Sequence, residues 1–369
     1  MHSFKDVRKI LVIKLRHIGD VLLAVPVFRA LRETFPDAYI SALVTAGTEE
    51  VLEGNPLIDE IIIFDRRIKA VSLGQKYLQE LSFLKKIRSK GFDMTVDLTS
   101  GDRAAILALA SGARFRIAHD PGGDGFFGKR YLYTHRAKKD IAPSHMVLQN
   151  LHAVRQFGIT THDLTIDLLI PPEAKLFVKN ILAEHSIWES DTLVHVHPTA
   201  RWLSKYWKDE YMAGVINWLT GKKFKVIITS SSSEREMNRV KSILSYVHDR
   251  SLLVDLSGRT TIKQLAAISA VSDLFLGVDT APMHIAAAVG TPVIALFGPS
   301  GEAQWGPWGG QHIVLTKKMR CETCEHGMCK GVEVRKCLEA ITKEEVIEAV
   351  LQALRIRNHP QGQQREDTF

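Results

Sequence analysis

The run Leu274-Phe-Leu-Gly-Val-Asp-Thr-Ala-Pro-Met-His284-Ile-Ala-Ala-Ala-Val-Gly290-Thr-Pro-Val-Ile-Ala-Leu-Phe-Gly298-Pro sets an apolar strand, a polar turn, a helix and a second apolar strand into 26 residues. Strand, helix and strand in succession is the pattern of a parallel sheet. Asp279 and Thr280 fall where an N-cap belongs, Pro282 falls in the first helical turn, and Gly290 ends the helix. The N–H groups that open such a helix have no intrahelical acceptor and lie at the positive end of its dipole. They form a site for an anion such as a pyrophosphate. His284, one turn in, faces the same mouth. A capped core helix with a packed histidine would look the same, and this segment alone leaves both readings open.

The amino end holds a second segment of this kind. Arg8–Leu15 is an apolar strand, Arg16–Asp20 a turn, and Val21–Thr34 one helix with Val21, Leu22, Val25, Phe28 and Leu31 toward a core. Gly19 lets the backbone turn sharply. Asp20 then stands at the carboxyl edge of a first parallel strand, where open α/β sheets bind ligands. It is an N-cap carboxylate, a reacting group, or both.

The alternation continues along the chain. Strands are expected near 9–15, 39–44, 60–64, 94–98 and 115–119, then near 193–197, 225–229, 252–255, 274–278 and 292–297. Helices are expected near 20–34, 76–90, 102–111 and 145–157, then near 209–219, 234–245, 262–271, 281–289 and 343–356. Residues 65–69 and 121–125 read as loops. The paired prolines Pro171 and Pro172 read as a linker that excludes helix. At 369 residues the chain exceeds the size of a single core, so two domains are expected. Residues 1–8 carry Lys5, Asp6 and Arg8 with no apolar core, and the apolar stretch 281–297 is broken by His284 and Pro292. Neither a signal nor a membrane span is expected, and the protein reads as cytoplasmic.

Three stretches together carry a family resemblance: ILVIKLRHIGDVLLAVPVFRALRETFPDA, His197-Pro-Thr-Ala-Arg-Trp-Leu-Ser-Lys205-Tyr-Trp207, and GVDTAPMHIAAAVGTPVIALFGPS. In order and spacing, from about residue 8 to about residue 355, the chain resembles the family 9 glycosyltransferases, the ADP-heptose:lipopolysaccharide heptosyltransferases. Within them it is most similar to the heptosyltransferase III branch, through LRHIGDVLL and its late cysteine cluster. The resemblance implies the GT-B fold, two doubly wound Rossmann-like α/β domains facing across a cleft. Residues 1–170 would bind acceptor, and residues 171–357 would bind nucleotide sugar and carry a Cys-rich insertion at 321–337. Residues 358–369 would form a polar tail.

A nucleotide sugar leaves a diphosphate behind, so negative charge develops on the leaving oxygen and must be stabilised. No Asp-X-Asp motif suited to holding a divalent metal is present, so a helix N-terminus plus a cation is the expected solution. Thr280, Ala281 and His284 supply donors and Lys205 the charge. By resemblance, Lys205 and Thr199 match phosphate-contacting positions, Asp279, Thr280, Ala281 and His284 the diphosphate motif, Glu234 the ribose-binding acid, and Asp20 the catalytic base. Glu236 competes with Glu234. Lys205 otherwise reads as a solvated lysine, and Thr199, Glu234 and Glu236 as turn or cap residues. Lys208 stands where relatives often carry Pro. The expected outcome is inversion by direct displacement, with no cofactor and no catalytic metal.

Residues 1–170 hold 24 Lys/Arg against 19 Asp/Glu, so most of the net charge of +7 lies there. Arg66, Arg67, Lys69 and Arg103 are candidate acceptor contacts, or ordinary solubilising charges. The partners implied are ADP-heptose, the lipopolysaccharide inner core and, peripherally, the cytoplasmic face of the inner membrane. Cys321, Cys324, Cys329 and Cys337 read as a structural metal knuckle or a thiol-lined loop. Alternatives are a GT-B transferase for another nucleotide sugar and a nucleic-acid-binding protein with a Cys knuckle. Dispersed basic residues argue against nucleic acid, and the missing GxGxxG argues against an NAD-linked oxidoreductase.

Overall fold

The computed structural model describes residues 4–65, 72–138, 144–298, 300–310, 312–317, 319, 324–325, 328–329 and 336–358. Contacts divide the chain into two units, Met1–Leu169 and Ile170–Phe369.

The first unit is built on six parallel strands: β1 Lys9–Lys14, β2 Tyr39–Thr45, β3 Glu60–Phe64, β4 Met94–Asp97, β5 Phe115–His119 and β6 His135–Ala137. Their order is β3-β2-β1-β4-β5-β6. Strand β1 reads as a continuous apolar run because helices cover both of its faces, and Ile10 to Ile13 have no solvent contact. The order reverses direction between β1 and β4. The chain that leaves these two neighbouring strands therefore opens a crevice at their carboxyl ends, the switch point of a doubly wound sheet.

Two corrections fall beside that crevice. The expected single helix over Val21–Thr34 is two helices, α1 Ile18–Leu22 and α2 Val25–Thr34. Pro26 is the reason: it has no N–H to give the carbonyl of Leu22, and Val27 turns its own to Ala24. Gly19 lies buried inside α1, and the N-cap is His17, so Asp20 is no N-cap. Further along run α3 Leu73–Ser89, α4 Asp102–Ala110 and α5 Met146–Arg155.

The second unit opens with α6 Pro172–Glu184, unexpected from the paired prolines. Pro172 starts it without strain, since a first-turn position needs no donor and favours the proline φ. Six parallel strands follow: β7 Leu193–His197, β8 Lys225–Ile228, β9 Leu253–Asp255, β10 Leu274–Val278, β11 Val293–Phe297 and β12 Ile313–Thr316. They are ordered β12-β11-β10-β7-β8-β9, with the switch point between β7 and β10. Strands β6 and β12 are additions to the expected set. Both are short edge strands, paired on one side only; β6 (His-Arg-Ala) has little apolar signal and β12 (Ile-Val-Leu-Thr) is only four residues long and half-buried.

Between these strands lie α7 Asp209–Gly221, α8 Glu234–Ser245, α9 Ile262–Val271 and α10 Ala281–Ala288. After β11 come α11 Glu302–Trp305, the paired segments β13 Cys324–Glu325 and β14 Met328–Cys329, then α12 Lys336–Glu339 and α13 Lys343–Asn358. The core on one face joins Val194, Val196, Ile216, Leu276 and Leu296 to Val346 and Val350 of α13. Each such fully buried aliphatic contributes about 1.5–3 kcal/mol over leaving it exposed. Gly277 has a packing reason: a Cβ there would lie 2.8 Å from the carbonyl oxygen of His197 on the paired strand.

Candidate active site

At the second switch point, the chain leaving β10 and the chain leaving β7 lie side by side. Thr280 is the N-cap of α10, extended at φ −157° and ψ 167°, and makes no side-chain cap. Asp279, expected to share the capping, does other work. Its Oδ2 lies 2.5 Å from Lys205 Nζ and accepts a hydrogen bond from Ser300 Oγ. In the first turn of α10, Pro282 has no N–H and Met283 gives its own to Thr280 O at 3.1 Å, which leaves the Ala281 N–H without an acceptor inside the helix. His284 is buried on the next turn.

Lys205 is therefore no freely solvated lysine; its side chain is 23% exposed against 5% for Asp279. The loop that carries it is pinned from behind. Tyr206 and Trp207 are both 2% exposed, and Trp207 Nε1 donates to the carbonyl of Ile341 at 3.0 Å. Lys208 is the N-cap of α7 at φ −63°, an angle that proline would also adopt.

Beneath this mouth runs a chain of buried polar side chains that the sequence reading missed. Thr199, without solvent contact, donates its hydroxyl proton to Glu236 Oε2 at 2.8 Å. His197 Nε2 lies 3.5 Å from the same hydroxyl, and its Nδ1 is 2.8 Å from Thr229 Oγ1. His195 reaches Thr229 at 2.8 Å through Nε2 and Ser269 Oγ at 2.9 Å through Nδ1. Burial pushes His197 down to about 4, opposed by Glu236; burial, then His197, lowers His195. Both rings are neutral at pH 7, and one arrangement of protons satisfies every contact. Ser269 donates to His195, His195 to Thr229, Thr229 to His197, His197 to Thr199, and Thr199 to the carboxylate. The alternation His195-Val-His197 at the end of an apolar strand was the available signal, since it puts both rings on one face.

Of the two candidate acids, Glu236 is 6% exposed and committed to Thr199. Glu234, on the first turn of α8, is exposed and makes no hydrogen bond or ion pair among the described residues.

In the first unit, Asp20 occupies the first turn of α1, partly exposed, with no hydrogen bond or ion pair among the described residues. Around it the ends of β1 and β4 are tightly bonded. Lys14 Nζ, buried, donates to Leu98 O at 3.0 Å and to Asn150 Oδ1 at 2.9 Å. Arg16 donates to Thr99 O at 3.0 Å. Buried Asp97 accepts from Tyr133 Oη at 2.5 Å and from the amides of Thr99 and Ser100; burial pushes its carboxyl up, against those hydrogen bonds. Lys129 Nζ donates to Ser100 O at 2.8 Å and pairs with Asp102 at 3.1 Å.

Of the four candidate acceptor contacts, Arg66, Arg67 and Lys69 lie outside the described residues. Arg103 pairs with Glu80 at 2.6 Å and lies over the ring of Phe64. Among the cysteines, Cys321 lies outside the described residues, as does the expected tail beyond Asn358. Cys324 and Cys329 are directly opposed across β13 and β14, and Cys337 is buried in α12. No helix among the described residues is long and apolar enough to cross a membrane.

The chain is similar to known proteins in sequence and in fold. The pattern of glycosyltransferase family 9 (heptosyltransferase) matches residues 80–333. Lipopolysaccharide heptosyltransferase 3 of Escherichia coli K12 is 31% identical over 294 residues, covering 80% of this chain and 83% of its own. The crystal structure of a family 9 glycosyl transferase from Veillonella parvula superposes with a TM-score of 0.79 at 23% identity, covering 95% of this chain and 98% of that one. The E. coli ADP-heptose lps heptosyltransferase II gives 0.75 at 19% identity, covering 95% and 100%. The two parallel sheets have the GT-B fold of these enzymes.

Proposed function

Because the chain belongs to glycosyltransferase family 9, the heptosyltransferases, we propose that it moves a heptose from ADP-heptose to the inner core of lipopolysaccharide. The observation that carries the donor half is the Lys205–Asp279 ion pair at the mouth of α10. A family of glycosyltransferases leaves no support for the nucleic-acid-binding alternative.

The diphosphate sits at the N-terminus of α10, against the Ala281 N–H and beside Thr280, with Lys205 next to it and His284 behind. A helix terminus contributes about 0.3–1 kcal/mol toward an anion, and a charge-assisted hydrogen bond about 1.5–3 kcal/mol, so Lys205 is the larger contributor. Asp279 bears the same sign as the phosphates and does not contact them; it holds Lys205 in place. Glu234, exposed and uncommitted, serves the ribose hydroxyls, while Glu236 holds Thr199 and the loop after β7.

Asp20 takes the proton of the acceptor hydroxyl as that oxygen bonds to the anomeric carbon. The bond from that carbon to the β-phosphate oxygen breaks, and ADP leaves. Entry opposite the leaving group inverts the anomeric centre. Helix donors and Lys205 meet the developing charge without a divalent metal.

The acceptor is an anionic, lipid-anchored oligosaccharide, and the first unit is suited to a peripheral position at the cytoplasmic membrane face. Phe127 is fully exposed and Tyr131 is 75% exposed, beside Phe126 and Arg130 in the loop after β5. Apolar rings with a cation suit an anionic lipid surface. The test of the whole reading is product formation from ADP-heptose with a panel of truncated lipopolysaccharide cores. ADP-glucose and UDP-sugars serve as competing donors; transfer from one of them, and none from ADP-heptose, would replace this reading by that of another nucleotide-sugar transferase.

A further inference from the structure

Lys14, the last residue of β1, is 3% exposed. An ammonium buried this deeply is costly unless hydrogen-bonded, and two acceptors serve it, Leu98 O and Asn150 Oδ1. Asn150, on α5 and itself buried, gives its amide nitrogen to Leu23 O at 3.0 Å. Leu23 is the C-cap of α1. Its carbonyl lacks the usual helical donor because the Pro26 break sends Val27 N–H to Ala24 O. Asn150 thus ties the end of β1 to the far end of α1, and the five residues of α1 between them carry Asp20. So short a helix does not hold its own shape, and its anchored ends fix its direction.

We propose that Lys14 and Asn150 are positioning residues for Asp20: the buried Lys14 ammonium holds the Asn150 side-chain oxygen, and Asn150 fixes the short helix that aims the carboxylate. This inference rests on Asp20 being the base.

The charges around Lys14 agree with it. Burial draws the ammonium down to about 8, and of the neighbouring charges Asp20 acts on it most strongly, upward. Arg16 from the following turn lowers it, Asp97 from β4 raises it, and Asn150 from α5 is uncharged.

Lys14→Met removes the charge and keeps most of the bulk. In kinetics with ADP-heptose and a lipopolysaccharide core acceptor, kcat should fall about tenfold or more from a misaimed base. ADP affinity should stay at the wild-type value. Asn150→Ala leaves Lys14 in place and should show the same split, a kcat lowered about tenfold or more with ADP affinity unchanged. It carries the test if Lys14→Met fails to fold, as judged by circular dichroism and thermal melting. A kcat within about twofold of wild type in folded Lys14→Met or in folded Asn150→Ala overturns the proposal. Asp20→Asn, run alongside, separates the two levels. If it turns over like wild type, the base reading falls and takes this inference with it. If it is inactive while folded Asn150→Ala turns over within about twofold of wild type, only the positioning role is refuted.

Discussion

Lys205 Nζ lies 2.5 Å from Asp279 Oδ2, and the two residues reach each other from the two strands that flank the switch point of the second sheet. In the proposed diphosphate site this pair resolves a conflict. A lysine long enough to reach a phosphate loses side-chain freedom when it binds, and a carboxylate already holding it reduces that loss before the ligand arrives.

Lys205→Ala should weaken ADP binding by roughly ten- to a hundredfold, equivalent to about 1.5–3 kcal/mol, since it removes a charge-assisted contact and leaves Asp279 unpaired near the phosphates. Asp279→Asn should weaken it less, because the cation remains but is no longer held. Titration calorimetry with ADP measures both. Equal affinity in wild type and Lys205→Ala would remove the cation from the donor site.

Asp20→Asn should keep ADP affinity within about twofold and lower turnover by about a hundredfold or more, the usual worth of a general base. The amide is isosteric and cannot accept the proton. Calorimetry and single-turnover kinetics together separate binding from chemistry, and wild-type turnover in the folded variant rules Asp20 out as the base.

The buried histidines predict a pH dependence of stability. His197 is held near 4 by burial against an ordinary value of 6.5, and His195 is lowered as well. Between these values the unfolded chain binds more protons than the native one, so stability is fully present above about 6.5 and is lost as pH falls toward about 4. His197 alone accounts for about 3 kcal/mol across that window. Urea unfolding at pH 7.5 and pH 5 should show the fall, with a smaller one in His197→Gln. An equal fall in both proteins would assign the effect elsewhere.

Transfer should persist in excess EDTA after dialysis, because in the proposed reaction α10 and Lys205 stabilise the leaving diphosphate. Activity that disappears and returns with magnesium or manganese would contradict that account. Loss reversed by zinc alone would point instead to the cysteine segment 321–337 and to folding.

What the sequence determined by itself is what local chemistry determines. Apolar runs such as Leu274–Val278 and Val293–Phe297 allow one kind of strand, and proline inside a first turn with glycine after the last one delimits α10. Motifs in order named the family. Short elements were less legible, because the edge strands β6 and β12 bury little and an α1 of five residues has no period to read.

Pairings across the chain were decided only by the tertiary structure. That Asp279 holds Lys205 rather than capping a helix, that Glu236 and not Glu234 receives the Thr199 hydroxyl, and that Asn150 reaches back to Lys14 all depend on strand order. Strand order is a global property: it brings β7 beside β10 and β1 beside β4, and no spacing within either segment encodes its neighbour. A buried hydrogen bond also needs both partners desolvated together, which becomes visible only once the sheet has closed over them.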